Sequence, residues 1–424
     1  MEAEASLREV SVFFMFFITF TLTAALSKHV FEKFCSRINV ANKETLFKMP
    51  IKINFCLGLL LTIFCFSCTS NRSSEASDVV RIVHKVNRYW QANHPELGCS
   101  FWDNSVYHMG NMEVYLLTRE DCDIKYSLDW AKFNQWSEPQ TENKSKWKFS
   151  YVMDNDYVLF GDLQACFQVY TDLFRIKLKP YMIARIMEVV KESMSSSPQH
   201  YWWRVDAIFM VLPLMAKMYQ ITDNPVYLDK ANAYFSYVDH LLYDVPSGLY
   251  YKDFQSLYPK HKSIKGYKDF WTRGNGWAIA GLVRTLKELP QTTPYRQIYL
   301  NRYCSMVKAI AECQQPGGYW TRSMLDSAHA LGSESSGTAL FTYALLWGVN
   351  NHILDRSVYL PIIERAWNYL STVALQPDGK IGYVEPIGDN VFSGQVVDSN
   401  SSSNLGVGAF LLAACERIRF LQAE

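Results

Sequence analysis

Beyond residue 78 the apolar positions recur three and four residues apart, the spacing of a buried helix face, with little of the period-two alternation of a half-buried strand. About twelve helices are predicted, starting near Asp78, Asn104, Asp123, Phe160, Pro180, Trp202, Pro225, Gly276, Pro294, Ser336, Asp355 and Asn404. Many of these starts carry Pro, Asp, Asn or Ser, which cap or pre-form a first turn. Turn clusters such as Pro377, Asp378 and Gly379 separate them. Twelve helices make six hairpins of just under about 60 residues each, without a strong sequence repeat, so an all-α closed toroid is favoured over a stacked solenoid. The serine tracts at 195–197 and 399–403 are read as loops within one domain.

Two apolar runs precede this region. Residues 10–26 (VSVFFMFFITFTLTAAL) are just long enough for a marginal membrane or signal segment. From Met49 the chain reads MPIKINFCLGLLLTIFCFSC: a Lys, an apolar stretch, and Ser67 before Cys68, which resembles a bacterial lipoprotein signal. Two export signals in series are redundant. The expected organisation is therefore an upstream extension over 1–48, a lipoprotein-type signal over 49–68 with Cys68 lipidated, a tether over 69–77, and a single catalytic domain over 78–424. The alternative is a two-pass or hairpin anchor. The expected location is the bacterial cell envelope, with the membrane contacted only through the N-terminal anchor.

Charge narrows the partners. Lys and Arg number 42 against 41 Asp and Glu, a net charge of +1, so no global field recruits nucleic acid. The aromatic content is high, with 12 Trp, 26 Tyr and 25 Phe, many beside polar residues, as in clefts where rings stack on sugars or in an aromatic core. The ten cysteines outline no disulfide framework, and Cys65 and Cys68, the one C-x-x-C, lie in an apolar run. The nine histidines show no metal-ligand spacing, so neither a metal nor a cofactor is expected.

The stretch YWWRVDAIFM, Tyr201 to Met210, places the carboxylate of Asp206 in an apolar, aromatic setting. Read as a helix, it puts Trp202 and Trp203 on the same face as Asp206, while Val205, Ala207, Ile208 and Phe209 offer no counter-charge. A carboxyl buried in that way tends to stay protonated, the state a general acid needs. The bland alternative is a buried Asp satisfied by a neighbouring hydrogen bond. A second stretch, FWTRGNGW from Phe270, sets Arg273 between Trp271 and Trp277, with Asn275 flanked by glycines. A guanidinium makes two parallel bonds to a carboxylate, so this block suits an acidic sugar or is a helix first turn with a structural Arg.

Five blocks then occur in order: WWRVDAIFMVLPLMAKMY, FWTRGNGWAIAGLVRTL, GYWTRSMLD, ESSGTALFTYALLWGVNN and PDGKIGYVEPIG. Together they resemble the unsaturated rhamnogalacturonyl hydrolases of glycoside hydrolase family 105, related to the unsaturated glucuronyl hydrolases of family 88. The resemblance implies a six-hairpin α/α barrel. It also implies an exo-acting enzyme on lyase-generated, pectin-type oligosaccharides that end in a 4,5-unsaturated uronic acid. In that chemistry an acid protonates the vinyl ether at C4 and water adds at C5, and the family's acid falls on Asp206.

The family's second carboxylate, in a pattern of Asp, Asn, three residues and Gly, falls in DNDYVLFG on Asp156 by spacing to Gly161, or on Asp154 by the Asp-Asn dipeptide. Its role would be to hold water or sugar hydroxyls. A His of some relatives has no counterpart, Lys252 and Asp253 standing there. Trp102 and His108 are candidates to line the cavity, although a lone His is more often structural. Ser335, Ser336 and Thr338 are read as a helix N-terminus facing the cavity, since they lack the strand-to-helix elbow of a nucleophilic serine. Alternatives are an inverting glycosidase, a sugar epimerase and a non-catalytic glycan-binding lipoprotein.

Overall fold

The computed structural model describes residues 74–138, 143–149, 158–387 and 396–423. The N-terminal expectations, including lipidation of Cys68, lie outside them, and so do Asp154 and Asp156. Within the described residues no helix is long and apolar enough to cross a membrane.

The compact unit from Glu75 onward is helical. Its helices are α1 (74–93), α2 (Trp102–Thr118), α3 (Asp121–Phe133), α4 (Ala165–Lys177), α5 (Ala184–Ser195), α6 (Ala207–Met210), α7 (Leu212–Thr222), α8 (Val226–Leu242), α9 (Thr272–Glu288), α10 (Arg296–Glu312), α11 (Ser335–Asn350), α12 (Arg356–Tyr369) and α13 (Asn404–Gln422). Taking α6 and α7 as one interrupted helix gives, among the described residues, the twelve the periodicity predicts, each start near its expected residue.

An inner ring runs α2, α4, α6–α7, α9, α11, α13 and back to α2, each helix packed on the next. The expected toroid is therefore observed. Burial sorts the two layers. Ser335–Val349 of α11 and Thr272–Leu286 of α9 are buried on every side, whereas α8 buries a stripe: Tyr227, Leu228, Ala231, Tyr234, Phe235, Val238 and Leu242. The seam closing the ring is tight because a Cβ on Gly408 would stand 2.2 Å from Val106 O, so a side chain there would push α13 off α2.

The break between α6 and α7 comes from Pro213, whose missing N–H cannot reach the Phe209 carbonyl. Gln168 of α4 takes over, its Nε2 donating to Phe209 O (2.7 Å) and Met210 O (3.0 Å).

Connections leaving the inner helices are short, such as 119–120 and 223–225, and those entering them are long, such as 243–271 and 313–334. One end of the barrel therefore gathers the inner helices' N-termini and all the long loops. Two small antiparallel hairpins lie in those loops: β1 (Tyr243–Asp244) with β2 (Leu249–Tyr250), and β3 (Trp320–Thr321) with β4 (Ser333–Glu334). The opposite end gathers C-termini, whose partial negative charge favours cations. There Lys287 of α9 and Arg419 of α13 meet Glu113 of α2 at 3.3 and 2.6 Å.

Candidate active site

The stretch around Asp206 is not helical before Ala207. The backbone of Arg204 bridges that of Asp253, and Val205 N–H donates to Lys252 O at 2.9 Å, so the chain runs extended against the 243–271 loop. Asp206 itself starts α6, its carbonyl accepting from Phe209 N–H and Met210 N–H. The two tryptophans consequently part, contrary to the shared face expected. Trp202 is buried and stacked on Tyr234 at 5.3 Å, a core residue rather than a sugar contact. Trp203 stays half-exposed, edge-on to Phe254 at 5.5 Å. The expectation of no counter-charge also fails. Arg204 Nε lies 3.4 Å from Asp206 Oδ2, and the Asp206 side chain is only 8% exposed.

Asp162 was missed in the sequence. It lies in the short turn Gly161–Gln164 that leads into α4, and the Tyr201 hydroxyl donates to its Oδ1 at 2.8 Å. Burial, then the charges of Asp162 and Asp206, push the Tyr201 phenol well above its ordinary range, so this ring lies in the field of both carboxylates. Gly161 makes room for it, since a Cβ there would stand 2.1 Å from the Tyr201 ring. The available signal was an acid at the first turn of an inner helix, as at Asp206.

The Trp271 block turns inward. Trp271 Nε1 donates to Glu385 Oε2 at 2.7 Å, and the Arg273 guanidinium lies 4.7 Å from the centre of its ring. Arg273 is 1% exposed and donates to Glu385 O (2.6 Å) and Pro386 O (3.0 Å), so its fork grips the loop before α13 instead of facing a sugar carboxylate. Burial pushes the Glu385 carboxyl up, with Arg273 pulling against it and Glu334 adding to it. Glu334 caps α11 by accepting from Ser336 N–H and Gly337 N–H, which makes Ser335 to Thr338 the helix start expected.

Other expected contacts are structural. Asn275, fully buried, donates to Tyr250 O and Trp271 O and accepts from Tyr250 N–H, tying β2 to α9. Trp277 is buried 4.6 Å from Phe209, with Trp102 half-buried at its edge. His108 is bonded to Ser127 and stacked on Trp130 at 4.0 Å, and burial holds its imidazole well below the ordinary range, so it is a neutral core residue. His261, Asp269 and His329 come together, the two rings 2.8 and 3.5 Å from Asp269 Oδ2. Since His329 Nδ1 accepts from Ile264 N–H, a neutral ring turns a protonated Nε2 toward Asp269, which suits a hydrogen-bonded clasp better than a metal centre.

The arrangement sets the nearly buried Asp206 carboxyl beside Arg204, a second carboxylate at Asp162, and partly exposed rings at Trp203 and Phe254. Comparison with known proteins gives it a context: the family model described as Glycosyl Hydrolase Family 88 matches residues 76–421.

The chain belongs to glycosyl hydrolase family 88.

It is thus a glycoside hydrolase, as the ordered blocks suggested, and family membership sets aside the epimerase and non-catalytic readings. A solved family 88 structure from Bacteroides vulgatus is 52% identical, with a TM-score of 0.79 over 81% of this chain and 99% of that one. A solved protein named as a polysaccharide lyase is 56% identical, with a TM-score of 0.80 over 82% and 99%. The unsaturated 3S-rhamnoglycuronyl hydrolase of Formosa agariphila is 29% identical over 78% of this chain and 88% of its own. A solved possible family 105 member from Salmonella enterica shares the fold at 19% identity, with a TM-score of 0.61 over 76% and 84%.

In this family 88 enzyme, Arg273→Lys is expected to cost about 1–3 kcal/mol of stability, because an ammonium cannot span both carbonyls from beneath Trp271. The unfolding midpoint in denaturant checks it. An unchanged midpoint with a raised KM for uronyl substrates would return Arg273 to the role of carboxylate clamp.

Proposed function

We propose that this enzyme removes a 4,5-unsaturated uronic acid from the non-reducing end of lyase-generated, rhamnose-containing oligosaccharides, with Asp206 as proton donor. The observation that carries the reading is the position of Asp206: nearly buried, at the start of an inner helix, beside Arg204, at the barrel end where the long loops meet. The Formosa relative's name supports a rhamnoglycuronyl substrate.

The residues suit the chemistry. Asp206 gives its proton to C4 of the C4=C5 bond, leaving an oxocarbenium shared by C5 and the ring oxygen. Arg204 lies where it stabilises the carboxylate that results. That carboxylate takes a proton from water as the water oxygen bonds to C5. The hemiketal opens to a C5 ketone, and the hemiacetal left at C1 releases the rest of the chain as an alcohol. Asp162, held by Tyr201, is the carboxylate for a sugar hydroxyl or the water, the role expected of Asp156. Six inner-helix N-termini gather at this end, and their partial positive charge favours an anionic uronate.

The test uses the conjugated C=C of the substrate, which absorbs in the ultraviolet. Mixing enzyme with lyase-generated oligosaccharides is expected to lower the absorbance. A rise in absorbance on intact polysaccharide, with no loss on the unsaturated products, would mean elimination instead, the activity in the name of the 56% identical protein.

A further inference from the structure

The loop from Lys252 to Asp269, KDFQSLYPKHKSIKGYKD, differs in charge from the rest of the chain. It holds five Lys against two Asp, a net +3 with His neutral, whereas the whole protein is +1, so the remainder is slightly acidic. Its two carboxylates are occupied locally. Asp253 accepts from Gln255 N–H, Ser256 N–H and the Ser256 hydroxyl, and Asp269 from His261 and Ser323. Lys268 pairs with Asp244 at 2.7 Å and Lys265 stands 3.7 Å from Asp326. Lys260 and Lys262 are exposed and make no ion pair among the described residues, Lys262 lying over the Tyr258 ring at 5.5 Å.

The loop is also exposed in its aromatic residues, Phe254, Tyr258 and Tyr267. Rings interleaved with ammonium groups are the chemistry that takes an anionic sugar chain: rings on the apolar faces, cations on the acidic substituents. Its start is joined to the proposed acid. Lys252 and Asp253 pair with the backbone of Val205 and Arg204, and Phe254 meets Trp203. Its far end is clasped in place, with Ile264 N–H on His329, Lys265 N–H on Asp326 and His261 on Asp269 at 2.8 Å. A surface held in this way loses little freedom when a ligand settles on it.

We propose that the 252–269 loop binds the part of the oligosaccharide beyond the cleaved terminal residue, and selects chains whose following sugars carry carboxylate or sulfate ester groups. This rests on the uronyl hydrolase reading above, and names the substrate class that reading leaves open.

The experiment compares wild type with the double variant Lys260→Ser/Lys262→Ser on three unsaturated substrates: a disaccharide whose second sugar is neutral, a carboxylated tetrasaccharide and a sulfated tetrasaccharide. The ratio of kcat/KM for the anionic tetrasaccharides to that for the disaccharide is expected to fall about three- to tenfold in the variant, through KM. The difference should vanish at about 1 M salt, where the screening length is about 3 Å. The tetrasaccharide that responds identifies the anionic group. An unchanged ratio for both, or an equal fall on all three substrates, overturns the proposal. Calorimetric binding of saturated forms of the same tetrasaccharides separates the two readings. If wild type turns over none of the substrates yet the variant binds the anionic chains more weakly, the uronyl hydrolase reading falls and the loop's role stands. Equal binding by both proteins removes the loop's role.

Discussion

Replacing Asp206 with Asn is expected to lower turnover by about 10² or more, with the protein folded and still able to bind substrate. The substitution keeps the shape of the side chain and an oxygen that can accept from Arg204 Nε at the observed 3.4 Å, but an amide has no proton to give to C4. An interaction made only in the transition state lowers kcat and kcat/KM together, and this is the kinetic pattern expected. Arg204 loses a charged partner, and since its side chain is only 17% exposed the stability cost is expected to be about 1–3 kcal/mol, which leaves the protein folded. Thermal unfolding and loss of ultraviolet absorbance, measured on one sample, distinguish the possibilities. A stable Asn variant with a near wild-type rate removes Asp206 as the acid. A variant that unfolds easily but turns over normally while folded makes it a structural carboxylate.

The second large effect lies at the other end of the barrel. Glu113→Gln is expected to destabilise the fold by about 1–3 kcal/mol, because it takes the charge from a buried carboxylate that Lys287 and Arg419, each 30% exposed, both pair with. Given the size of the unit, this lowers the unfolding temperature by roughly 1–4 °C. Burial by itself pushes the Glu113 carboxyl up, but Lys287, Arg419 and Arg284 outweigh it and hold it well below the usual carboxylate range. A carboxyl depressed in the folded state binds fewer protons there than when unfolded. Its contribution is therefore complete above the unfolded value of 4.5 and is lost as the pH falls below it toward the folded value. Wild type and variant should differ most near neutrality and converge on acidification. Equal midpoints at neutral pH would show that the cluster contributes nothing. Activity per folded molecule should not change, since Glu113 lies among the C-termini of the inner helices, away from Asp206.

The fold was legible because helix formation leaves a local record. Period and capping residues within a dozen positions mark each element, as at Asp355, whose side chain caps α12. A count of twelve helices, with no repeat to suggest a solenoid, then leaves a closed ring as the way to bury all the apolar faces. The same local logic misled at Tyr201 to Met210. Its residues carry a helical pattern, but Arg204 and Val205 pair with the backbone of residues 252 and 253, and this pairing holds the segment extended.

What sequence alone determined was the helical ring architecture and the family, and it singled out Asp206 as the candidate acid, each from residues close together in the chain. Tertiary structure decided which of the candidate side chains face the site. The partners responsible are far apart in sequence, with Trp271 and Glu385 114 positions apart and Arg273 and Pro386 113 apart. Local spacing carries no trace of such pairs, so the sequence leaves Arg273 open between a sugar ligand and a structural residue, and the loop it grips decides for the second. Asp162 carried only a weak local signal for the matching reason, since an acid in a helix's first turn acquires meaning only when Tyr201, 39 residues on, folds across it. Periodicity reports the burial of a face, whereas a site depends on which ends of which helices converge, and ring closure alone settles that.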